Sequence, residues 1–556
     1  MTAMHNIFLI GLSGSGKSTV GRILAHKLNK PFFDLDALIE RECGESISTI
    51  FARFGEGYFR SCESRVLAKI AQTEENAVIA TGGGIVTKEE NRSLMRTRGV
   101  CVYLQADPET VLERLHTQSV ERLKRGELPE IRPLLAGSDP LKALQQLLGD
   151  RSKWYEDAHF TCSTEGKSAE RVAEKIIAMF ISSGELVEEP HNLFVRHINV
   201  GRGYNVVVDW GGLGKLGQNL KMLGLPPRVF LITDSNIRDL YGSTIMGTLQ
   251  FFGFDPQLYT IPAGEVSKSQ FQLSAIYDWL IENRAERGEA IIALGGGVVG
   301  DLAGYAAATY LRGVPLVQVP TSLLAQVDAA IGGKTGINHA RGKNLIGAFY
   351  HPRLVLVDPA MLLTLPIRER TEGWAEVIKY GIILDTKLIT QLEENADTLR
   401  EFTHPPATLL CQIVTRCIAL KATVIEEDER EEGRRVILNY GHTVGHALEN
   451  VAGYGEFLHG EAVSLGMVVA ATMAHQAGMF PKSGLIRQNK LLKALGLPVA
   501  YTGCIKEKDI LSAMQLDKKV EHQQIRWIMP RRLGNVTVTS MPADLVKSVL
   551  IAFFTE

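Results

Sequence analysis

Two histidines stand four residues apart in "NYGHTVGHALEN", His442 and His446, so a helix would carry them on one face. That is the spacing of a zinc-binding pair, yet the glutamate that follows the first histidine in HExxH peptidases is missing. More possible ligands lie on either side: Glu376 in "WAEVIKYG", three residues before Lys379, and His459 in "FLHGEAVSLGM". Two imidazoles and one carboxylate make a catalytic zinc set with a position left open for substrate. Lys421, Asp428, Arg435, Asn439 and His442 step along by sevens, fours and threes. They form one helical stripe if the segment is continuous, with "EEGRR" expected to bend it. The stripe reads either as a salt-bridged surface or as a binding face. Asn439 and His442, set beside apolar neighbours, favour the second for its C-terminal half.

A different chemistry opens the chain. "GLSGSGKST" fits GxxxxGK[ST] from Gly11 to Ser18, after an apolar run and before a helical one. The backbone amides of Gly11, Gly14, Ser15, Gly16, Lys17, Ser18 and Thr19 would converge on phosphate oxygens. Lys17 would reach the terminal phosphates, and the Ser18 hydroxyl would bind Mg2+. Such a loop implies a nucleotide but not an acceptor. Acceptor groups are offered by Asp34 and Asp36 in "FFDLDALIE", read as two carboxylates facing the same way at a strand's end. Arg60, Gly82, Gly83, Gly84, Arg132 and Arg151 follow in that order.

Between these ends lies a second glycine triplet, Gly295 to Gly297, in "LGGGVVGD". It suits a nucleotide as well as it suits a tight strand-to-helix turn. Asp234 at a strand end could accept from a ribose hydroxyl. Glu265, Lys268, Thr321, Ser322, Asp328, Lys334, Lys343 and Asn344 supply further polar groups nearby in the sequence.

These residues need a scaffold. The chain has 556 residues, 45% hydrophobic and 22% charged, enough for two or three domains. A net charge of -2 gives no case for a nucleic-acid or membrane surface. No apolar run is expected to reach the length of a membrane span, and no signal peptide is read. Seven scattered cysteines without a CxxC pair suggest reduced thiols and a cytoplasmic setting. Short apolar runs alternate with amphipathic stretches, first to about residue 181 and again from about 195 to 366. Each block implies a parallel sheet covered by helices. Residues 182–194 read as a linker. From 367 to 556 helices dominate, with a short strand pair expected around "IRWIMP" and "NVTVTSM". The fold class is therefore α/β, with a mainly helical last domain.

Taken in order, the N-terminal motifs resemble shikimate kinase over about residues 4 to 180. The resemblance implies ATP and Mg2+ as partners. Asp36, Arg60, Gly82, Gly83, Gly84 and Arg151 would hold shikimate, the two arginines on its carboxylate. Asp34 would lie near Mg2+, and a lid residue, Arg132, would meet the nucleotide and the transferring phosphoryl group. Arg114 is the candidate for the adenine side. The lid "LHTQSVERLKRGELPEIRPLL" is longer and more charged than the family's usual short one.

From about residue 195 to the end the chain resembles 3-dehydroquinate synthase. The resemblance assigns the metal, zinc or cobalt, to Glu376, His442 and His459, and turns His446 toward the substrate. NAD+ would lie against Asp234, Asn236, Glu265, Lys268, Gly296, Gly297, Val298, Asp301, Thr321, Ser322, Asp328, Lys334 and Lys343. The sugar phosphate would meet Asp328, Lys334, Asn344, Lys379, Lys421, Arg435, Asn439, His446 and Lys518. Arg312 would complete its phosphate site across a homodimer interface. Lys334, Lys379 and His446 would take part in the chemistry, alongside Lys17, Asp34 and Arg132 in the kinase half. The reaction implied moves a hydride to NAD+ and back around loss of phosphate, then closes a carbocycle. Two alternatives remain open. The second half could be another sugar-phosphate cyclase or a polyol dehydrogenase, and the first a non-catalytic nucleotide-binding regulatory domain.

Overall fold

The structure is a computed structural model that describes residues 6–126, 135, 139–184, 193–340, 342–402, 407–453, 455–515, 520–521 and 524–555. Arg132 and Lys518 lie outside the described residues, as does the rest of the lid segment 127–134. The chain divides into two compact units, Met1–Phe180 and Ile181–Glu556.

The first unit is built on five parallel strands: β1 (Asn6–Ile10), β2 (Phe32–Asp34), β3 (Val78–Ala80), β4 (Gly99–Gln105) and β5 (Phe160–Ser163). Their order is β2-β3-β1-β4-β5. Helices cover both faces, so β1 and β3 are buried at every residue and read as unbroken apolar runs. The chain leaves β1 through the glycine loop and enters the helix Lys17–Leu28. Gly11, at φ 143°, has no room for a side chain, because a Cβ there would sit 2.6 Å from the Leu104 carbonyl oxygen.

β2 stops at Asp34, whose carboxylate caps the helix Leu35–Cys43 by accepting from the amides of Asp36 and Ala37. Asp36 is therefore in the first helical turn. The expectation that the two carboxylates share a strand face is corrected: the chain turns helical between them.

The main sheet of the second unit has seven strands: β6 (Phe194–Ile198), β7 (Tyr204–Val208), β8 (Arg228–Asp234), β9 (Asp255–Ile261), β10 (Ala290–Gly295), β11 (Leu316–Pro320) and β14 (Leu354–Val357). The order is β6-β7-β14-β11-β10-β8-β9, parallel except for the edge strand β6. From β8 the chain runs to the edge strand β9 and returns to β10 on the other side of β8. That reversal opens a crevice at the carboxyl ends of β8 and β10, the usual ligand position in such sheets. Asp234 ends β8, and Gly295 to Gly297 end β10 and begin the helix Gly297–Thr309.

Between β11 and β14 the chain forms an antiparallel hairpin, β12 (Lys334–His339) with β13 (Gly342–Phe349). Its glycine-rich sequence had given no strand signal.

The rest of the unit is mainly helical. Its helices include Ile367–Ile383, Ala407–Glu427, His442–Ala452 and His459–Gln476, and the expected strand pair is Trp527–Arg532 with Asn535–Thr539. The proposed stripe is not one helix. It breaks after Glu427, and Asp428 accepts the amides of Glu432, Gly433 and Arg435. A 3-10 segment, Arg434–Asn439, follows, and Gly441, at φ 81°, turns the chain into the helix that His442 begins. Among the described residues one helix, Ala407–Glu427, is long and apolar enough to cross a membrane by length and composition, with 50% of its apolar window buried. This differs from the expectation of no such run. The cations that interrupt the helix are paired within the fold, Arg416 with Asp385 and Lys421 with Asp328.

Candidate active sites

In the first unit the loop, the Asp36 helix and the glycine triplet surround one cluster. Lys17 is buried, its Nζ donating to the carbonyls of Gly11 at 2.9 Å and Leu12 at 2.7 Å. Ser18 is half-buried and Thr19 exposed at the start of the same helix. Arg60, on the helix Ile47–Thr73, donates to Glu63 at 2.8 Å and to Glu56 at 3.0 Å. Glu63 is fully buried, and burial raises its carboxyl above the ordinary range although Arg60 opposes the shift. The glycine triplet forms the wall beside it. A Cβ on Gly82 would lie 2.3 Å from Glu63 Oε1, and one on Gly84 would lie 2.2 Å from the Arg60 guanidinium. Arg151 Nη1 donates to the Gly83 carbonyl at 3.0 Å, where the Tyr155 hydroxyl also donates. Asp36 Oδ1 would lie 3.0 Å from the same Gly82 Cβ. Two carboxylates, Glu63 and Asp36, two arginines and the glycine backbone thus come together, a set whose arginines could meet an anion and whose Asp36 could meet hydroxyls. Arg114 donates to Thr164 through both Nη atoms.

In the second unit three side chains converge. Glu376 is fully buried, with His442 Nε2 at 3.5 Å and His459 Nε2 at 3.7 Å from its Oε1. The three offer one ligand atom each within 4.8 Å of one another. Both rings are oriented through the other nitrogen: His442 Nδ1 is 3.1 Å from the Tyr440 carbonyl and His459 Nδ1 is 3.3 Å from Glu449 Oε2. An acceptor at Nδ1 fixes a proton there, so a ring that gives up its other proton, as a metal ligand must, turns its Nε2 lone pair toward Glu376. Glu376 Oε1 accepts no hydrogen bond, while Oε2 is ion-paired with Lys379. A buried carboxylate oxygen without a donor, facing two imidazole lone pairs, fits a borderline divalent cation. His446, Glu449 and His459 form a second possible group. There, however, Glu449 is already held by Lys343 at 2.7 Å and by His459, so its oxygens are taken. The His446 ring lies 5.3 Å from His442 and 5.9 Å from His459, beside the first group.

A lysine network borders this group. Lys421 donates to the Asp328 carboxylate at 2.7 Å and to its carbonyl at 2.6 Å, and the Tyr380 hydroxyl donates to the same carboxylate. Burial works against the Asp328 charge, but Lys421 and Lys379 more than offset it and hold the carboxyl well below its usual range. Burial lowers Lys421 to about 8, with Asp328 opposing, so both partners are charged at neutral pH. Lys334 pairs with Glu431, which also accepts from Asn439. Arg435 is 1% exposed and donates to the Gly332 and Glu429 carbonyls, so its fork is bound to backbone in this conformation. At His459 burial disfavours the cation, and Glu449 and Glu376 more than offset that, raising the imidazole to about 9.

Of the residues expected at a nucleotide, Asp234, Gly296, Gly297 and Thr321 lie at the carboxyl ends of β8, β10 and β11. Asp234 accepts from the amides of Asn236 at 2.8 Å and Ile237 at 3.1 Å. Lys268 is buried against Asp301 at 2.7 Å and donates to Asn344 Oδ1, while Glu265 accepts from Asn338 at 2.8 Å. Asn344, expected at the substrate, thus meets Lys268, expected at the nucleotide. Gly296 faces Ser322, whose hydroxyl accepts from the Ala325 amide. Thr321 is buried beside Gly295, to whose carbonyl its amide donates at 3.0 Å, and Val298 packs on the apolar core. Gly297 starts the helix behind them. Arg312 is exposed, at φ 64°, in the turn Tyr310–Arg312.

The reading of the sequence missed four contributors. Glu63 stands three residues after Arg60, and Tyr380 is next to Lys379. Glu449 stands seven after His442 and three after His446, the same helix face, and that spacing could have found it. Glu431 is one acid among several in "EEDEREEG", where nothing local singles it out.

Comparison with known proteins assigns these sites to families. Residues 13–180 match the family Shikimate kinase, 258–372 match 3-dehydroquinate synthase N-terminal, and 373–520 match 3-dehydroquinate synthase C-terminal. A 3-dehydroquinate synthase of Rippkaea orientalis (strain PCC 8801 / RF-1) is 46% identical over 349 residues, 63% of this chain and 95% of its own. One from Desulforamulus reducens (strain ATCC BAA-1160 / DSM 100696 / MI-1) is 46% identical over 61% of this chain and 93% of its own. Among solved structures, a 2-epi-5-epi-valiolone synthase of Streptomyces hygroscopicus subsp. jinggangensis 5008, with NAD+ and Zn2+ bound, superposes with a TM-score of 0.58. It is 27% identical, covering 66% of this chain and 98% of its own. The lower identity to that cyclase disfavours the alternative activities. The chain belongs to the 3-dehydroquinate synthase family and carries a shikimate kinase domain ahead of it, one enzyme with both activities.

Proposed function

We propose that Glu376, His442 and His459 hold a divalent zinc or cobalt ion beside NAD+ bound at the β8/β10 crevice. This site converts 3-deoxy-D-arabino-heptulosonate 7-phosphate to 3-dehydroquinate and phosphate, while the first unit phosphorylates shikimate with MgATP. The observation that carries the reading is the pair of imidazoles fixed at Nδ1, both presenting Nε2 to one buried carboxylate. When bound, the metal would supply Lewis acidity toward an alcohol oxygen, and NAD+ a reversible hydride acceptor.

The chain's own groups do the rest. Lys421, Lys334 and Lys379 form the cationic wall that would hold the carboxylate and phosphate, and Arg435 joins it on leaving its backbone acceptors. His446 lies beside the metal group, placed to exchange a proton with the substrate. Lys518 and, from a second copy, Arg312 would complete the phosphate contacts, which makes the active form a homodimer. In the kinase unit Arg60 and Arg151 would take the acceptor's carboxylate as charge-assisted bonds, and Asp36 its hydroxyls. Lys17 would swing from the Gly11 and Leu12 carbonyls onto the phosphates. Ser18 and Asp34 would hold Mg2+, and Arg132 would meet the transferring group. The enzyme would work in the cytoplasm, where its cysteines stay reduced.

Two assays test this. With the heptulosonate phosphate and catalytic NAD+, phosphate should appear without net NADH; NADH accumulation would identify a dehydrogenase instead. With shikimate and ATP, the parent chain should form shikimate 3-phosphate. Lys17→Ala should lose that reaction by about 100- to 1,000-fold, the effect of removing one preorganised charge donor, and keep the synthase rate. Absence of phosphorylation in the parent would end the kinase assignment.

A further inference from the structure

The hairpin β12–β13 has bonds on two sides. Toward the nucleotide residues, Asn338 donates from its side chain to Glu265, and its amide donates to the Lys268 carbonyl at 2.8 Å. Asn344 accepts from Lys268 Nζ and donates its amide to Asn338 Oδ1 at 2.9 Å. Toward the helical domain, Lys343 reaches Glu449 and Lys334 reaches Glu431. Lys343 and Asn344 are neighbours in β13 whose bonds run to different elements, Lys343 to Glu449 and Asn344 to Lys268. One therefore serves the helices and the other the nucleotide turn. Asn344 takes φ 53°, a left-handed conformation that non-glycine residues hold only where surrounding bonds require it.

The far end of this connection is a metal-group histidine. Glu449 is 3% exposed, with Lys343 on Oε1 at 2.7 Å and His459 Nδ1 on Oε2 at 3.3 Å. It is a bridge with no solvent-facing function, and both its oxygens are used. We propose that Lys343–Glu449–His459 is a strut that couples nucleotide occupancy to the metal site. Glu449 is the positioning residue that sets the tautomer and angle of His459, and the hairpin sets Glu449. A nucleotide that orders the Glu265–Lys268 turn and the hairpin holds Lys343 on Glu449, and so favours the His459 orientation that binds metal. By linkage the metal strengthens nucleotide binding by the same factor. The inference rests on the metal assignment proposed above.

The test is a cobalt titration of the metal-free full chain, with and without NAD+ at concentrations that saturate each variant. Bound cobalt is read by its visible absorption and its affinity by competition with a chelator. In the parent, NAD+ should tighten cobalt binding several-fold. Glu449→Gln should weaken cobalt binding by about 10- to 100-fold, the usual cost of losing such a partner, and change the cobalt spectrum. Lys343→Met should still bind cobalt but lose the effect of NAD+, and Lys343→Arg should restore it. If Glu449→Gln does not fold, the two Lys343 variants test the same connection from its other end. Unchanged cobalt affinity and spectrum in Glu449→Gln, or an NAD+ effect that survives in Lys343→Met, overturns the strut. A parent that takes no cobalt, or a His442→Ala variant that takes it equally well, overturns the metal assignment itself.

Discussion

The two sites organise charge in opposite ways. In the kinase unit the partners of Lys17 and Arg60 are close in sequence. Lys17 rests on carbonyls five and six residues away, and Arg60 pairs with Glu56 and Glu63 within one helix. In the synthase unit Glu376 and Lys379 are a local pair, but three other lysines find remote partners: Lys421 and Asp328 are 93 residues apart, Lys334 and Glu431 97, and Lys343 and Glu449 106. The ion pairs of the first site form within a loop and a helix, and its one long-range closure runs from Arg151 and Tyr155 to the Gly83 carbonyl. The second exists only once the hairpin and four helical segments have closed on one another. A local site tolerates loosening elsewhere in its unit; a site made of long-range ion pairs fails with any strut.

The sharpest way to break that contrast is at the metal group. His442→Ala should lose the metal and all synthase activity while shikimate phosphorylation continues at the parent rate. His446→Ala should keep the metal and slow turnover. Metal analysis beside both assays checks this, and equal metal loss in the two variants would remove the distinction drawn between the histidines.

A smaller effect is expected from crowding the kinase pocket. In Gly84→Ala the new methyl displaces the Arg60 guanidinium from Glu63. The KM for shikimate should rise by about tenfold, as for loss of roughly one charged hydrogen bond, and synthase kinetics should not change. An unaltered KM would mean that Arg60 does not meet the acceptor.

The smallest effect is one of pH. With Lys421 lowered by burial to about 8, its cation is present below that pH and lost above it. Synthase kcat/KM should fall on the alkaline side around pH 8, and Lys421→Arg, charged throughout, should move that limb upward. Stability should run the other way. Between about 8 and the ordinary lysine value of 10.5 the unfolded chain binds more protons, so the free energy of unfolding rises with pH. An alkaline limb that stays in place in the arginine variant would exclude Lys421 as its source.

The same contrast explains what the sequence made legible. The glycine loop could be read because its spacing is set by one βα turn. Glu376, His442 and His459 could be read because their residue types are scarce and their chemistry specific. Asp36 was misplaced because a strand gave way to a helix within two residues. The stripe from Lys421 to His442 was misdrawn because Asp428 and Gly441 redirect the chain through turns that periodicity does not register. The hairpin went unseen because its glycines carry little strand signal. With it went the lysine partners of Glu431 and Glu449, which are 97 and 106 residues away.

The most direct measurement strips the chain of tightly bound metal with a chelator, returns only Mg2+, and assays both reactions in one sample. Two separate sites predict shikimate phosphorylation at the full rate and no 3-dehydroquinate until Zn2+ or Co2+ is restored. Synthase activity that persists in the stripped, Mg2+-replenished protein would contradict the account, as would phosphorylation that returns only with Zn2+ or Co2+.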